Sequence, residues 1–392
     1  MARKYVVLRR HQETVGTTRG AGVQPAGAAT ETAPRVEVLD RSAVARARND
    51  ADFEFAAPSM PLKLIAPTAV AVEPRAPVVN GITWGVRAVG ADTSPFDGAG
   101  IVVAVLDTGI DASHPAFAGV NLIQKDFTGE GNGDAHGHGT HCAGTIFGRD
   151  VNGTRIGVAR GVTKALIGKV LGNNGGGSEN IASAIQWAIE NGANVISMSL
   201  GIDFPGYQAA LMAEGLKAEP ATSIALEGYR LNVQLFDRLA SLVSTLGVFH
   251  QPCLLVAASG NESGRDQIPP FEIAASPPAV SDGFIAVAAL QEGTNGHSVA
   301  TFSNTGVALS GPGVAVVSAK AGGGLVAFNG TSMATPHVAG VAALWAQKLK
   351  AAGSFNVRQF TTNVLASAVR TGLDPASDLD SVGAGIVRAP QS

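Results

Sequence analysis

Seven residues, Gly100-Ile101-Val102-Val103-Ala104-Val105-Leu106, leave few architectures open to this chain. They are apolar without alternation, so a strand built from them has no face for water. Such a strand belongs inside a parallel sheet covered on both sides. It stops at Asp107-Thr108-Gly109. A carboxylate at the carboxyl end of a buried strand lies where open α/β sheets bind ligands, although aspartate also simply begins turns.

The pattern continues beyond this run. Strands are predicted at Ala165–Leu171, Asn194–Leu200, Cys253–Ser259, Ile285–Leu290 and Val314–Ser318. Ile181, Ile185 and Ile189, four apart, mark Glu179–Asn191 as an amphipathic helix. The stretch from Ser332 to about Lys350 is apolar nearly all round and should be a buried helix; a last helix is predicted over Gln359–Arg370. Alternating strands and helices predict an α/β fold, a three-layer parallel sheet with helices on both faces.

Residues 1–79 read differently, as a small α+β segment: strands at Tyr5–Arg9 and Arg35–Asp40, a helix over Ser42–Ala51, and extended chain over Phe53–Ile65. Gly16–Pro34 reads as a loop, and Ala66–Pro77, with three prolines, as a linker. The predicted division is therefore 1–79 and 80–392, with the boundary near Val78–Gly81.

A net charge of -3, with 15% charged residues, argues against nucleic acid or an anionic membrane as partner. Cys142 and Cys253 are too few for a disulfide framework and read as small buried hydrophobes. Val6-Val7-Leu8 is too short an apolar run for a signal peptide, and none reaches membrane-spanning length. The expectation is a cytoplasmic protein, or one exported by a route the sequence does not display. The glycine-rich Asn173–Ser178 lacks the Lys-Ser/Thr ending of a phosphate-binding loop.

Two blocks carry chemistry. In Phe328-Asn329-Gly330-Thr331-Ser332-Met333-Ala334-Thr335-Pro336-His337, Gly330 permits a turn, Thr331 can cap a helix, and Ser332 falls at that helix's N-terminus. Free N–H groups there favour a developing negative charge. Ser332 is thus either a capping residue or a presented nucleophile. In Asp134–Thr145, His136, His138 and His141 suggest either zinc or one catalytic histidine opening a helix. The glycines, and the lack of a glutamate base, weigh against the metal. A hydroxyl needs a base, and the base needs a third group to fix its tautomer. Asp107, His138 and Ser332 supply these in one of the three known chain orders.

Asp107-Thr108-Gly109, His138-Gly139-Thr140-His141-Cys142-Ala143-Gly144 and Gly330–His337 together resemble the signature blocks of the subtilisin-like serine proteases, the subtilases. The resemblance runs from about Gly81 to Ala389. It implies a serine endopeptidase acting on protein or peptide substrates through an acyl-enzyme, with catalytic Asp107, His138 and Ser332. It implies an oxyanion hole made by Asn261 and the Ser332 N–H. It also implies a substrate cleft between Ser199-Leu200-Gly201 and Gly175-Gly176-Gly177, entered by extended peptide. His114, His141 and His337 are then structural. No cofactor is required for the chemistry. Two other readings keep the same blocks: a processing protease or transpeptidase passing the acyl group to an amine, and a peptide-binding pseudoprotease.

Three departures stand out. The segment 202–249 is longer than in typical relatives and includes an amphipathic helix at Leu235–Leu246; it is either surface decoration or a flap or partner surface beside the cleft. Structural calcium, common in relatives, is expected to be weakened or missing. His114-Pro115 is followed by Ala116 instead of a carboxylate, and Arg155 adds charge to the loop Arg149–Ile156, leaving only Asp150 and Asn152 as side-chain donors. Residues 1–79 sit where many subtilases carry an inhibitory prodomain, so this segment is expected to cover the cleft and be removed near the linker.

Overall fold

The computed structural model describes residues 4–9, 35–65, 78–79, 81–294 and 296–392. The apolar run forms the strand Val102–Asp107, and its pleat divides its side chains between two cores. Val103 and Val105 join one, with Ile167, Val256 and Val287 from neighbouring strands. Ala104 and Leu106 join the other, with Leu166, Ile196 and Leu255. The strand is thus covered on both faces, as its lack of alternation predicts.

Among the described residues the main sheet has eight strands. Seven lie in the order Ser298–Val299, Phe284–Gln291, Leu254–Ala258, Val195–Met198, Val102–Asp107, Lys164–Lys169, Asn121–Asp126. The eighth, Leu309–Pro312, also pairs with Phe284–Gln291. All pairs are parallel except that of Ser298–Val299. The first core is closed by helices His138–Phe147 and Thr331–Ala351, the second by Ser178–Glu190 and Ala218–Phe249. The helix Thr331–Ala351 is buried along nearly its whole length.

Several expectations need adjustment. Val314–Ser318 does not join the sheet: Val316–Ala319 forms an antiparallel ribbon with Leu325–Phe328. The last predicted helix is Val357–Ala366, four residues shorter at its end than read from sequence. The helix predicted within 202–249 is part of a 32-residue helix, Ala218–Phe249, preceded by Phe204–Ala213.

The N-terminal segment forms an antiparallel sheet in the order Arg35–Asp40, Lys4–Arg9, Phe53–Pro58, with the helix Arg41–Ala47. Asp40 caps that helix by accepting from the Ala43 N–H. The helix ends before the predicted Ala51. Arg9, across the sheet, instead holds Asp50 at 2.9 Å and Asp52 at 2.8 Å. Gly16–Pro34 and Ala66–Pro77 lie outside the described residues.

This sheet rests on the second helical layer. Val6, Leu8 and Ala57 share its core. The Val36 N–H donates to Gln186 Oε1 at 2.8 Å, and Asn232 Nδ2 donates to the Pro58 carbonyl at 2.8 Å. The Arg238 guanidinium lies 4.7 Å from the centre of the Phe55 ring. The longer segment 202–249 thus packs on the core through Leu235, Phe236 and Leu239 and also touches Phe55 and Pro58 of the N-terminal segment.

Candidate active site

Asp107 ends its strand and His138 begins a helix thirty-one positions later, and close packing of strand end and helix joins them. A Cβ at Gly139 would lie 2.2 Å from the Gly109 carbonyl oxygen and 3.2 Å from Asp107 Cβ, so only glycine allows the approach. The His138 Nδ1–H donates to Asp107 Oδ1 at 2.8 Å, and the same oxygen accepts from the Thr108 N–H at 2.7 Å. Both side chains are essentially inaccessible to solvent. Burial, the largest single influence, pushes the imidazole pKa down, but the Asp107 carboxylate and the Cys142 sulfur together outweigh it and hold the ring well above its ordinary value. Its Nε2 is buried and has no hydrogen-bond partner.

Ser332 is the second residue of the helix Thr331–Ala351. Cys142 lies between it and the imidazole, with Sγ 3.8 Å from His138 Nδ1 and 3.4 Å from the Ser332 carbonyl oxygen. The serine hydroxyl does not donate to His138. It donates to the carbonyl of Ile65, at 2.7 Å, in the N-terminal segment.

Beside the serine, Asn261 Oδ1 accepts from both the Thr331 N–H and the Thr331 hydroxyl, each at 2.9 Å. This pattern assigns the amide, so Nδ2 is the donor side. Two local expectations change here. Gly330, not Thr331, is the helix N-cap, and its φ of 160° is ordinary extended backbone. A Cβ there would lie 3.0 Å from Asn261 Nδ2, so any larger residue would press on the amide. Thr331 positions Asn261 and also accepts from the Gly260 N–H at 3.2 Å.

Residues Pro61–Leu64 form a strand between two edges of the larger unit. Gly176 and Gly177 pair with Leu62 and Pro61 on one side; Leu200, Gly201 and Ile202 pair with Leu64, Lys63 and Leu62 on the other. Both pairings are antiparallel. This is the strand addition expected of a substrate. Gly175 closes the turn with Gly172 instead of pairing with the strand. Ser199 lies against Ser332, its Oγ donating to the Ser332 carbonyl at 3.1 Å. A Cβ at Gly201 would sit 3.7 Å from Ile65 Cδ1 and 2.7 Å from Ser276 Oγ, so Gly201 borders the space that Ile65 occupies.

A carboxylate–imidazole pair, an adjacent serine on a helix N-terminus and an extended peptide presenting a carbonyl to that serine make up acyl-transfer geometry. Known proteins resemble this chain. The subtilase family matches over residues 98–385. This chain belongs to the subtilase family. Alkaline elastase YaB from Bacillus sp. (strain YaB) is 34% identical over 315 residues, which cover 79% of this chain and 69% of the relative. Subtilisin Savinase from Lederbergia lenta is 33% identical over 317 residues, covering 79% and 98%. The solved structure of Sphericase superposes with a TM-score of 0.58 at 30% identity, over 80% of this chain and 100% of that one. Fervidolysin from Fervidobacterium pennivorans is alike in fold over 99% of this chain and 60% of its own, with a TM-score of 0.66 at 22% identity. The protein is a serine endopeptidase of the subtilisin type that acts on protein substrates and needs no cofactor for catalysis.

The other histidines of this subtilase go to separate partners. His114 Nε2 meets the Gly324 carbonyl at 2.9 Å, His141 Nε2 the Val316 carbonyl at 3.0 Å, and His337 Nδ1 the Met333 carbonyl at 2.8 Å. Burial pushes His141 down to about 3 and His337 to about 4, so both are neutral. Around the loop 149–156, two of its arginines hold carbonyls of the neighbouring chain. Arg155 donates to the carbonyls of Ala91 at 2.9 Å, Gly157 at 3.4 Å and Val158 at 3.4 Å. Arg149 donates to those of Phe147, Arg160 and Val162. Asp150 pairs with Arg160 at 3.4 Å. Sequence reasoning missed the Ile65 carbonyl at Ser332; the available signal was extended chain ending at a proline-rich stretch.

Proposed function

We propose that Ser332 is the nucleophile, His138 its general base and Asp107 the group that fixes the imidazole, and that residues 1–65 act as an intramolecular inhibitor released by cleavage of the Ile65–Ala66 bond. The observation that carries this reading is the Ser332 hydroxyl 2.7 Å from the Ile65 carbonyl oxygen, at the end of a strand paired on both edges of the cleft. For reaction the hydroxyl turns from that oxygen to the unpartnered His138 Nε2, which takes its proton as Oγ attacks the Ile65 carbonyl carbon. Negative charge gathers on the oxygen, and this reading assigns Asn261 Nδ2 and the Ser332 N–H as its donors. His138 then protonates the departing amine of Ala66, and water releases Ile65 as a carboxylate.

The cut segment stays as a competitor because it leaves slowly. Its strand hydrogen bonds and its seat on helices Ser178–Glu190 and Ala218–Phe249 are independent of the severed bond. On the same reading the loop 149–156 does without calcium, since Arg155 and Arg149 place fixed positive charge there and bond to the carbonyls of Ala91, Gly157 and Val162 around it. Intact-mass measurement tests the assignment. Wild-type protein should yield a fragment ending at Ile65, and Ser332→Ala should remain full length and inactive. Full-length wild-type protein with full activity would refute it.

A further inference from the structure

Lys63 is the third residue upstream of the Ile65–Ala66 bond, and its side chain does not simply enter solvent. Its Nζ lies 2.8 Å from Glu262 Oε1, with both side chains about one-third exposed. Glu262 is held in place for this contact. Its other oxygen accepts from Asn304 Nδ2 at 2.7 Å, while Asn304 Oδ1 accepts from the Glu262 N–H at 3.0 Å and the Ser263 N–H at 3.1 Å. Asn304 is 1% exposed, so this support is rigid. Gly260 makes room for it: a Cβ there would strike Asn304 Nδ2 at 2.3 Å and Glu262 Oε2 at 2.4 Å.

The ion pair borders a cavity of about 320 Å³. Its walls include Ile202 and Ile273, with Phe204, Leu226 and Tyr229 from the segment 202–249. An aliphatic stem can cover such a wall while its charged head reaches the carboxylate.

We infer that Glu262 and this wall form a subsite that selects lysine or arginine at the third position upstream of the cleaved bond. The inference rests on the reading of residues 61–65 as bound in substrate register. A buried or half-buried carboxylate with one oxygen already satisfied rejects an acidic side chain and gains a charge-assisted hydrogen bond from a basic one.

The test uses purified wild-type enzyme and peptides with the sequence of residues 61–68, carrying Lys, Arg, Ala or Glu at the position of Lys63. Cleavage is followed by mass spectrometry and kcat/KM is measured for each. Lys and Arg should exceed Ala by about fivefold, with Glu below Ala. The Lys preference should shrink in high salt. Glu262→Gln should bring the Lys/Ala ratio close to one, and Glu262→Lys should favour the Glu peptide. Ratios within one protein are insensitive to a general loss of folding or turnover. Equal rates with cleavage after isoleucine overturn the subsite and leave the register intact, as does a Lys preference that survives in Glu262→Gln. Cleavage at another bond overturns the register and the subsite together.

Discussion

Removing one hydroxyl from Thr331 should damage turnover more than substrate binding. Thr331→Val keeps the side-chain shape but deletes the Oγ1 bond to Asn261 Oδ1, one of two at 2.9 Å, and the acceptor for the Gly260 N–H at 3.2 Å. Thr331 is fully buried, so water cannot replace either bond. An unsatisfied buried N–H costs about 1–3 kcal/mol, which should appear as lost thermal stability. Asn261 keeps its bond from the Thr331 N–H but is held less firmly. If about 1–2 kcal/mol of its contribution to the oxyanion is lost, kcat falls about 5- to 30-fold. Complete loss of such an asparagine costs about 10²–10³ in kcat, a figure measured in a subtilisin and so an upper bound borrowed from a relative. KM should change little, because the donor acts on charge present only in the transition state. The assay is steady-state kinetics on one peptide with Thr331→Ser as the conservative control, alongside the melting temperature. A variant with lowered Tm but kcat within twofold of wild type would show that Thr331 is merely structural.

The pH profile follows from the Asp107–His138 pair. The neutral ring is the base, and its pKa is raised, so activity should be lost as pH falls through a value above the ordinary histidine pKa of about 6.5. Asp107→Asn should move that acid limb of kcat/KM to lower pH; an unmoved limb would refute the coupling. Chelators should leave the wild-type melting temperature unchanged, whereas Arg155→Ala should lose about 2–3 kcal/mol by stranding the Ala91, Gly157 and Val158 carbonyls. Thermal unfolding with and without a chelator checks both, and a large chelator effect on wild type would restore calcium to the loop.

The sheet and the two catalytic helices were readable because their signals are local. Gly100–Leu106 has no polar face, and the helix after Ser332 has almost none. The contact of Asp107 with His138 was readable because three short blocks resemble one family. What escaped depends on pairs distant in sequence. Nothing near Asp50 announces that Arg9 will hold it, so local pattern predicts a longer helix than Arg41–Ala47. Nothing near Thr331 names Asn261 as its partner, and hence it was read as a cap. Val316–Ala319 has strand chemistry, but its antiparallel partner Leu325–Phe328 is set by an intervening turn rather than by apolar pattern.

The strand Val102–Asp107 gives adjacent residues to opposite cores and ends on the carboxylate beside His138. One residue inserted within it would exchange the two sets of side chains and carry Asp107 out of reach, so register there permits no drift. Length variation is cheaper where the backbone is free of that parity, as in the outer helix Ala218–Phe249. Changes in substrate choice can therefore arise in this molecule by lengthening an outer helix, while the machinery of bond cleavage stays fixed to the residue count of an inner strand.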